Sequence, residues 1–187
     1  MNSGIVDPCN STASAAAGVH FICPQGDGDP MPSTISITIQ DNTTAPVAGI
    51  PAADFWLIGC NDLLVLCGGS GSINATGATD ANGQTTITGD IAGGGCDTGV
   101  RVVCQGIVIG NGACPAVCLP IKVRSPDQRG GAGGTPDLLV SSADFSYFGA
   151  NYPSPAKPFV ECVDFVVSGT ITLADFTKFG GHFNHKC

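Results

Sequence analysis

Charge is scarce in this chain: Asp, Glu, Lys and Arg make up 12 % of its 187 residues, and only seven are basic. The net charge is −8, with no basic patch and no basic-aromatic stripe, which makes nucleic acid and anionic membrane poor partners. Long apolar runs are missing too; none approaches the roughly 18 residues that cross a bilayer as a helix. Catalytic signatures are absent: there is no Gly-x-Ser-x-Gly elbow, no phosphate loop and no His-Glu-x-x-His. No pair of carboxylates stands in a context that favours glycoside cleavage. An enzyme is not expected. The opening stretch MNSGIVDPCNST has neither a basic nor an apolar leader region, so the sequence is expected to begin at or near a mature end.

What is plentiful is glycine, proline and cysteine. Apolar residues reach 43 %, with 27 Gly and 13 Pro, a balance that suits short strands joined by many turns. Ten cysteines stand at Cys9, Cys23, Cys60, Cys67, Cys96, Cys104, Cys114, Cys118, Cys162 and Cys187. That density predicts a disulfide framework and an oxidising, extracellular or periplasmic setting. Connectivity does not follow from sequence, although short spacings favour Cys60–Cys67, Cys114–Cys118 and Cys162–Cys187. Sequons at Asn10, Asn42 and Asn74 are candidate glycan sites in an exported chain.

Residues 1–124 read as a β domain with an N-terminal extension. Period-2 alternation or short apolar runs predict strands at Gly18–Cys23, Ser33–Ile39, Phe55–Ile58, Leu63–Leu66, Thr85–Thr88, Gly99–Val103, Ile107–Ile109 and Leu119–Val123. Turn signals separate them, among them Asp80-Ala-Asn-Gly83 and Gly93-Gly94-Gly95. His20 and Trp56 fall within strands, where a place in the sheet is the expected role. Residues 125–135 (SPDQRGGAGGT) read as a flexible or surface-laid linker.

The last unit, 136–187, is duplicated. Residues 137–152 align without gaps on 168–183, and Ala143, Asp144, Phe145, Phe148 and Gly149 match Ala174, Asp175, Phe176, Phe179 and Gly180. The Phe-x-x-Phe spacing puts both rings of each copy on one helical face, so two short helices can pair through them.

Two resemblances follow. Asp41, Pro46, Val47 and Gly49, with Thr79, Asp80, Asn82, Gly83 and Thr86, resemble the bacterial immunoglobulin-like domains of invasin and intimin, which implies an Ig-like β-sandwich. The duplicated unit resembles a dockerin module, two calcium loops each followed by a helix. That resemblance implies calcium ligands at Asp164, Ser168, Thr172 and Asp175 in the second loop. In the first it implies Thr135, Asp137, Ser141 and Asp144. Gly133 stands where the first loop's leading Asp belongs, and Leu138 stands at the turn glycine. The family's partner-reading pair is replaced by Ser142-Ala143 and Leu173-Ala174, which turns the expectation away from cohesin binding.

Other metal chemistry is open at two places. His182-x-x-His185-x-Cys187, with Cys162, has zinc-ligand character, against an oxidised cysteine with solvent-facing histidines. Gly26-Asp27-Gly28-Asp29 reads as an acidic turn or a further calcium loop. The fold class expected is mainly β, an Ig-like β-sandwich followed by a small α-helical dockerin-like module. The function expected is an extracellular, cell-surface, self-associating subunit of a fibre or coat, with copies of itself as partner. In it, residues 3–6 could add as a strand to a neighbour's sheet. The alternative is a dockerin-bearing module that attaches a carbohydrate- or protein-binding sandwich to a cohesin.

Overall fold

A computed structural model describes residues 4–68, 73–110, 114, 116, 118–130, 134–152 and 160–187. Ten strands come first: β1 (Thr12–Ser14), β2 (Gly18–Phe21), β3 (Ile35–Thr38), β4 (Phe55–Gly59), β5 (Leu64–Leu66), β6 (Gln84–Ile87), β7 (Gly93–Asp97), β8 (Val100–Cys104), β9 (Ile107–Val108) and β10 (Ile121–Arg124). Two helices follow, α1 (Ser142–Asn151) and α2 (Leu173–Gly181). The strands form three sheets, ordered β1-β3-β6, β2-β10-β7-β5 and β4-β8-β9. Among the described strands every pairing is antiparallel except that of β2 with β10, which run parallel. The chain is mainly β, as its composition implies.

Alternation sets the inward faces. Ile35 and Ile37 of β3, Phe55 and Leu57 of β4, and Val100 and Val102 of β8 are buried and share one core with Ile87 and Ile121. Val6 joins it at 4 % exposure, while Ile5 beside it is 68 % exposed. Ser3 lies outside the described residues.

The triple glycine read as a turn is instead the start of β7, the strand between β10 and β5. Alternation misses it because glycine has no side chain to alternate. The glycines are there for space: a Cβ on Gly94 would run into the Asp127 carboxylate, and one on Gly95 into the Leu63 carbonyl.

The local disulfide pairings are overturned. The bonds are Cys9–Cys114, Cys60–Cys118, Cys67–Cys187 and Cys96–Cys162, closing 58 to 120 residues each. Cysteines close in sequence are led apart: Cys60 follows β4 and Cys67 follows β5, and those strands belong to different sheets. Cys23 and Cys104 are free, buried thiols. They sit in different apolar clusters, Cys104 in the β core and Cys23 in the C-terminal one.

That second cluster joins the two halves. Phe21 of β2 packs with Val140, Phe148, Val163, Phe165, Ile171 and Phe179. Two disulfides, from Cys96 of β7 and from Cys67, reach across the same boundary. The span 125–135 is not uniformly a surface connection, because Ser125, Asp127 and Gln128 are buried and hydrogen-bonded. Phe148 is the centre of the aromatic packing, at 5.6 Å from Phe179, 5.7 Å from Tyr152 and 6.0 Å from Phe165. Phe148→Ala is expected to cost about 3–5 kcal/mol of stability through the cavity it leaves. Urea unfolding with the disulfides intact measures this; a loss below about 1 kcal/mol would show that the ring is dispensable.

Candidate functional site

Each helix of the duplicated unit begins with a capping box. Ser141 caps α1 and Thr172 caps α2, each accepting from the amide two residues on. Asp144 and Asp175 return the favour, each accepting from the cap's own amide at 2.8 Å and from its hydroxyl at 3.1 Å. Residues that the calcium-loop pattern places at positions nine and twelve therefore start the helices.

The loops ahead of them match in detail. Asp164 accepts from the Ser168 and Gly169 amides, both at 2.9 Å. Asp127 accepts from the Asp137 and Leu138 amides at 3.2 and 2.9 Å. Those two pairs of donors are 31 residues apart, the period of the repeat, so Asp127 is the spatial counterpart of Asp164. The first copy does have a leading Asp; extra residues between Asp127 and Asp137 hide it from a gapless alignment. Gly133, the residue aligned to that place, lies outside the described residues. Thr135 falls within the inserted stretch, and the amide that reaches Asp144 as Val166's reaches Asp175 is that of Arg129 or Gln128. Leu138 takes the left-handed conformation of its counterpart Gly169, with φ of 64° against 79°. Arg124, at the end of β10, lies against the second loop, 3.5 Å from Asp164 and 2.9 Å from Glu161.

The outward face of the helix pair is apolar. Phe145 meets Phe176 and Phe179 at 6.3 and 6.0 Å, and Phe183 meets Phe179 at 6.3 Å. These rings, with Ser142 and Gly180, line an open groove. Phe145, Phe176 and Phe183 are 45, 39 and 41 % exposed, and Leu173 beside them is 65 % exposed.

A second constellation lies where β2 meets the C-terminal tail. Cys23 follows β2, and a turn closed by the Gly26 amide on the Cys23 carbonyl brings Asp27 back beside it. His182 ends α2, and the tail then pairs with residues 138–140, Val140 donating to the His185 carbonyl at 2.9 Å. One ligand atom each from Cys23, Asp27, His182 and His185 lies within 4.8 Å of all the others. His185 Nδ1 is 3.5 Å from Cys23 Sγ, 3.3 Å from His182 Nδ1 and 3.2 Å from Asp27 Oδ1. His182 Nδ1 is 3.4 Å from the same oxygen. Burial pushes the Cys23 thiol up to about 12, as it does that of Cys104. Burial also holds His182 below the usual imidazole range. For Asp27 burial acts upward, but the Cys23 hydrogen bond and the two histidines together hold it below the ordinary carboxylate range.

No protein-family description matches this chain, and no curated protein matches it. Among solved structures it is similar to a Lin-41 filamin domain, at 12 % identity and a TM-score of 0.32, over 62 % of this chain and 95 % of that one. A likeness that distant carries no argument about what the chain does.

The other sequence-marked residues divide. Cys162 and Cys187 are consumed by disulfides, so the zinc reading of His182, His185 and Cys187 with Cys162 is corrected: the two histidines gather instead with Cys23 and Asp27. The pattern Cys-x-x-x-Asp after β2 was the available signal, but nothing in it points to a partner some 160 residues away. Asp29 of the same loop goes elsewhere, pairing with Lys178 at 2.5 Å. His20 is fully buried on β2, where burial lowers its pKa. Asn10 and Asn74 donate from Nδ2 to the Asp41 and Phe55 carbonyls, and Asn42 is exposed in a turn. Four long-range disulfides indicate an oxidising environment, and among the described residues no helix is long and apolar enough to cross a membrane.

Proposed function

We propose that this chain is an extracellular, non-enzymatic structural and assembly protein that associates with copies of itself through the outer face of its helix pair. The observation that carries this reading is the aromatic groove lined by Phe145, Phe176, Phe179 and Phe183. Among the described residues, seven of the nine exposed large apolar side chains belong to residues 136–187, which concentrates the sticky surface on one unit. The β domain, of immunoglobulin-like kind in this reading, serves as the rigid body, and the cross-boundary disulfides fix the helix pair to it. Low charge and the candidate glycan sequons at Asn10, Asn42 and Asn74 suit a coat or fibre subunit at a cell surface.

The test is the mass of the full chain by light scattering across a concentration series. Wild type is expected to form concentration-dependent oligomers, and Phe176→Ser with Phe183→Ser to remain monomeric. Both rings are more than a third exposed, so their loss leaves the core intact. A wild type that stays monomeric at high concentration, or a double variant that assembles equally well, sinks the proposal.

A second reading keeps the dockerin resemblance, with calcium in the loops and a heterologous cohesin-like partner. What favours it is the matched hydrogen bonding of Asp127 with Asp164 and of Asp144 with Asp175. On that reading a calcium chelator releases the foreign partner; on the favoured one, homo-oligomers survive chelation.

A further inference from the structure

We propose that Cys23, Asp27, His182 and His185 form a structural zinc site that clasps the C-terminal tail to the β domain. The proposal stands on geometry. His185 Nδ1 has three partners at 3.2–3.5 Å, namely Asp27, His182 and Cys23. An imidazole nitrogen carries either one proton or one lone pair, so it can satisfy one of these contacts by hydrogen bonding. A cation at the centre satisfies all of them at once.

The spacing suits one metal in particular. With Zn–N and Zn–O bonds of about 2.0–2.2 Å and Zn–S of about 2.3 Å, tetrahedral donors stand about 3.3–3.6 Å from one another. Four of the six donor separations run from 3.2 to 3.5 Å, and all six lie within 4.8 Å. The donor set of one sulfur, two imidazole nitrogens and one carboxylate oxygen matches zinc, whereas calcium takes six to eight oxygens. The charges also balance, since a thiolate and a carboxylate neutralise a dication. On binding, the Cys23 S–H bond is broken, its sulfur bonds to the metal and the proton leaves to solvent. Four protein ligands fill the tetrahedron, so the site is closed and structural rather than catalytic.

Its position gives the role. Cys23 and Asp27 come from the loop after β2, and His182 and His185 from the end of the chain. The Cys67–Cys187 bond begins two residues beyond His185. Metal and disulfide together would tie the last turn of α2 and the tail to the β domain. This role is independent of self-association, so either can fail alone.

The experiment uses the full, non-reduced chain, stripped with chelator and titrated with zinc, and with cobalt(II) as a spectroscopic stand-in. One zinc per chain is expected, with the visible bands of tetrahedral cobalt and a thiolate-to-cobalt charge-transfer band. Asp27→Asn and His185→Gln, both at partly exposed positions, are each expected to weaken zinc binding by about 100-fold or more. Cys23→Ser is expected to abolish the charge-transfer band. Because Cys23 is fully buried, circular dichroism checks that this variant folds, and the other two decide if it does not. Failure to bind zinc, a cobalt spectrum without thiolate character, or affinity unchanged in Asp27→Asn and His185→Gln would each overturn the assignment.

Discussion

Arg124→Met is expected to destabilise the protein by about 3–5 kcal/mol, because it strips the cation from a buried ion pair and leaves the anion behind. Arg124 is 4 % exposed and Asp164 2 % exposed at their side chains. The guanidinium also donates to the Asp164 carbonyl and to Glu161, so it holds the second loop against the end of β10. Methionine fills the volume of the stem, which isolates the electrostatic loss from a packing one. Pairing Arg124→Met with Asp164→Asn removes the stranded charge, so the double variant should recover part of the loss; the difference is the coupling. Urea unfolding with intact disulfides measures all three. Trp56 reports on the β domain, while Tyr147 and Tyr152, the only tyrosines, report on the helical unit. A single-variant loss below about 1 kcal/mol would mean that the Ser168 and Gly169 amides suffice to hold Asp164.

Asp127 carries the largest pH effect. Its carboxyl is fully buried, and burial, with Asp144 nearby, pushes it up from 3.8 to about 7 although two amides pull it down. In the unfolded chain the group ionises near 3.8, so between about pH 4 and pH 7 the folded state keeps a proton that the unfolded state has released. The stability this group contributes is therefore fully present below about pH 4 and is lost as pH rises through about 7. Some three pKa units at 1.36 kcal/mol each make the swing about 4 kcal/mol. Asp127→Asn removes the titration at the fixed cost of turning an amide group toward a backbone N–H. Stability measured from pH 4 to pH 8 should show wild type losing ground steadily to the variant. Parallel curves would show an ordinary carboxyl.

Local features of this kind were readable in advance to different degrees. The helix pair was: Phe-x-x-Phe in two copies encodes the packing face within one short window, while the starts at Ser141 and Thr172 emerged only with the capping boxes they form with Asp144 and Asp175. Most strands were too, since Ile35 and Ile37 or Phe55 and Leu57 show their inward side by alternation. β7 was not, because glycines chosen for close approach leave no periodic trace. Nor was Asp127, whose partnership with Asp137 and Leu138 spans an insertion that a fixed-period alignment steps over. At the start of 125–135, Ser125 and Gln128 depart from the surface-laid reading, because they are polar in sequence but spend their polarity on backbone carbonyls.

By itself, then, the sequence determined the mainly β character, the duplication, the paired helix faces and the oxidising setting, because each rests on composition or on residues within a few positions of one another. Tertiary structure alone decided which cysteines bond, which two stay free, and that His182 and His185 meet Cys23 and Asp27. Those are questions of which distant segments come together, and the answer lies in the strand order: β5 beside β7 and β2 beside β10 bring the tail to Cys67 and the loop after β2 to the end of α2. No spacing along the chain encodes that meeting.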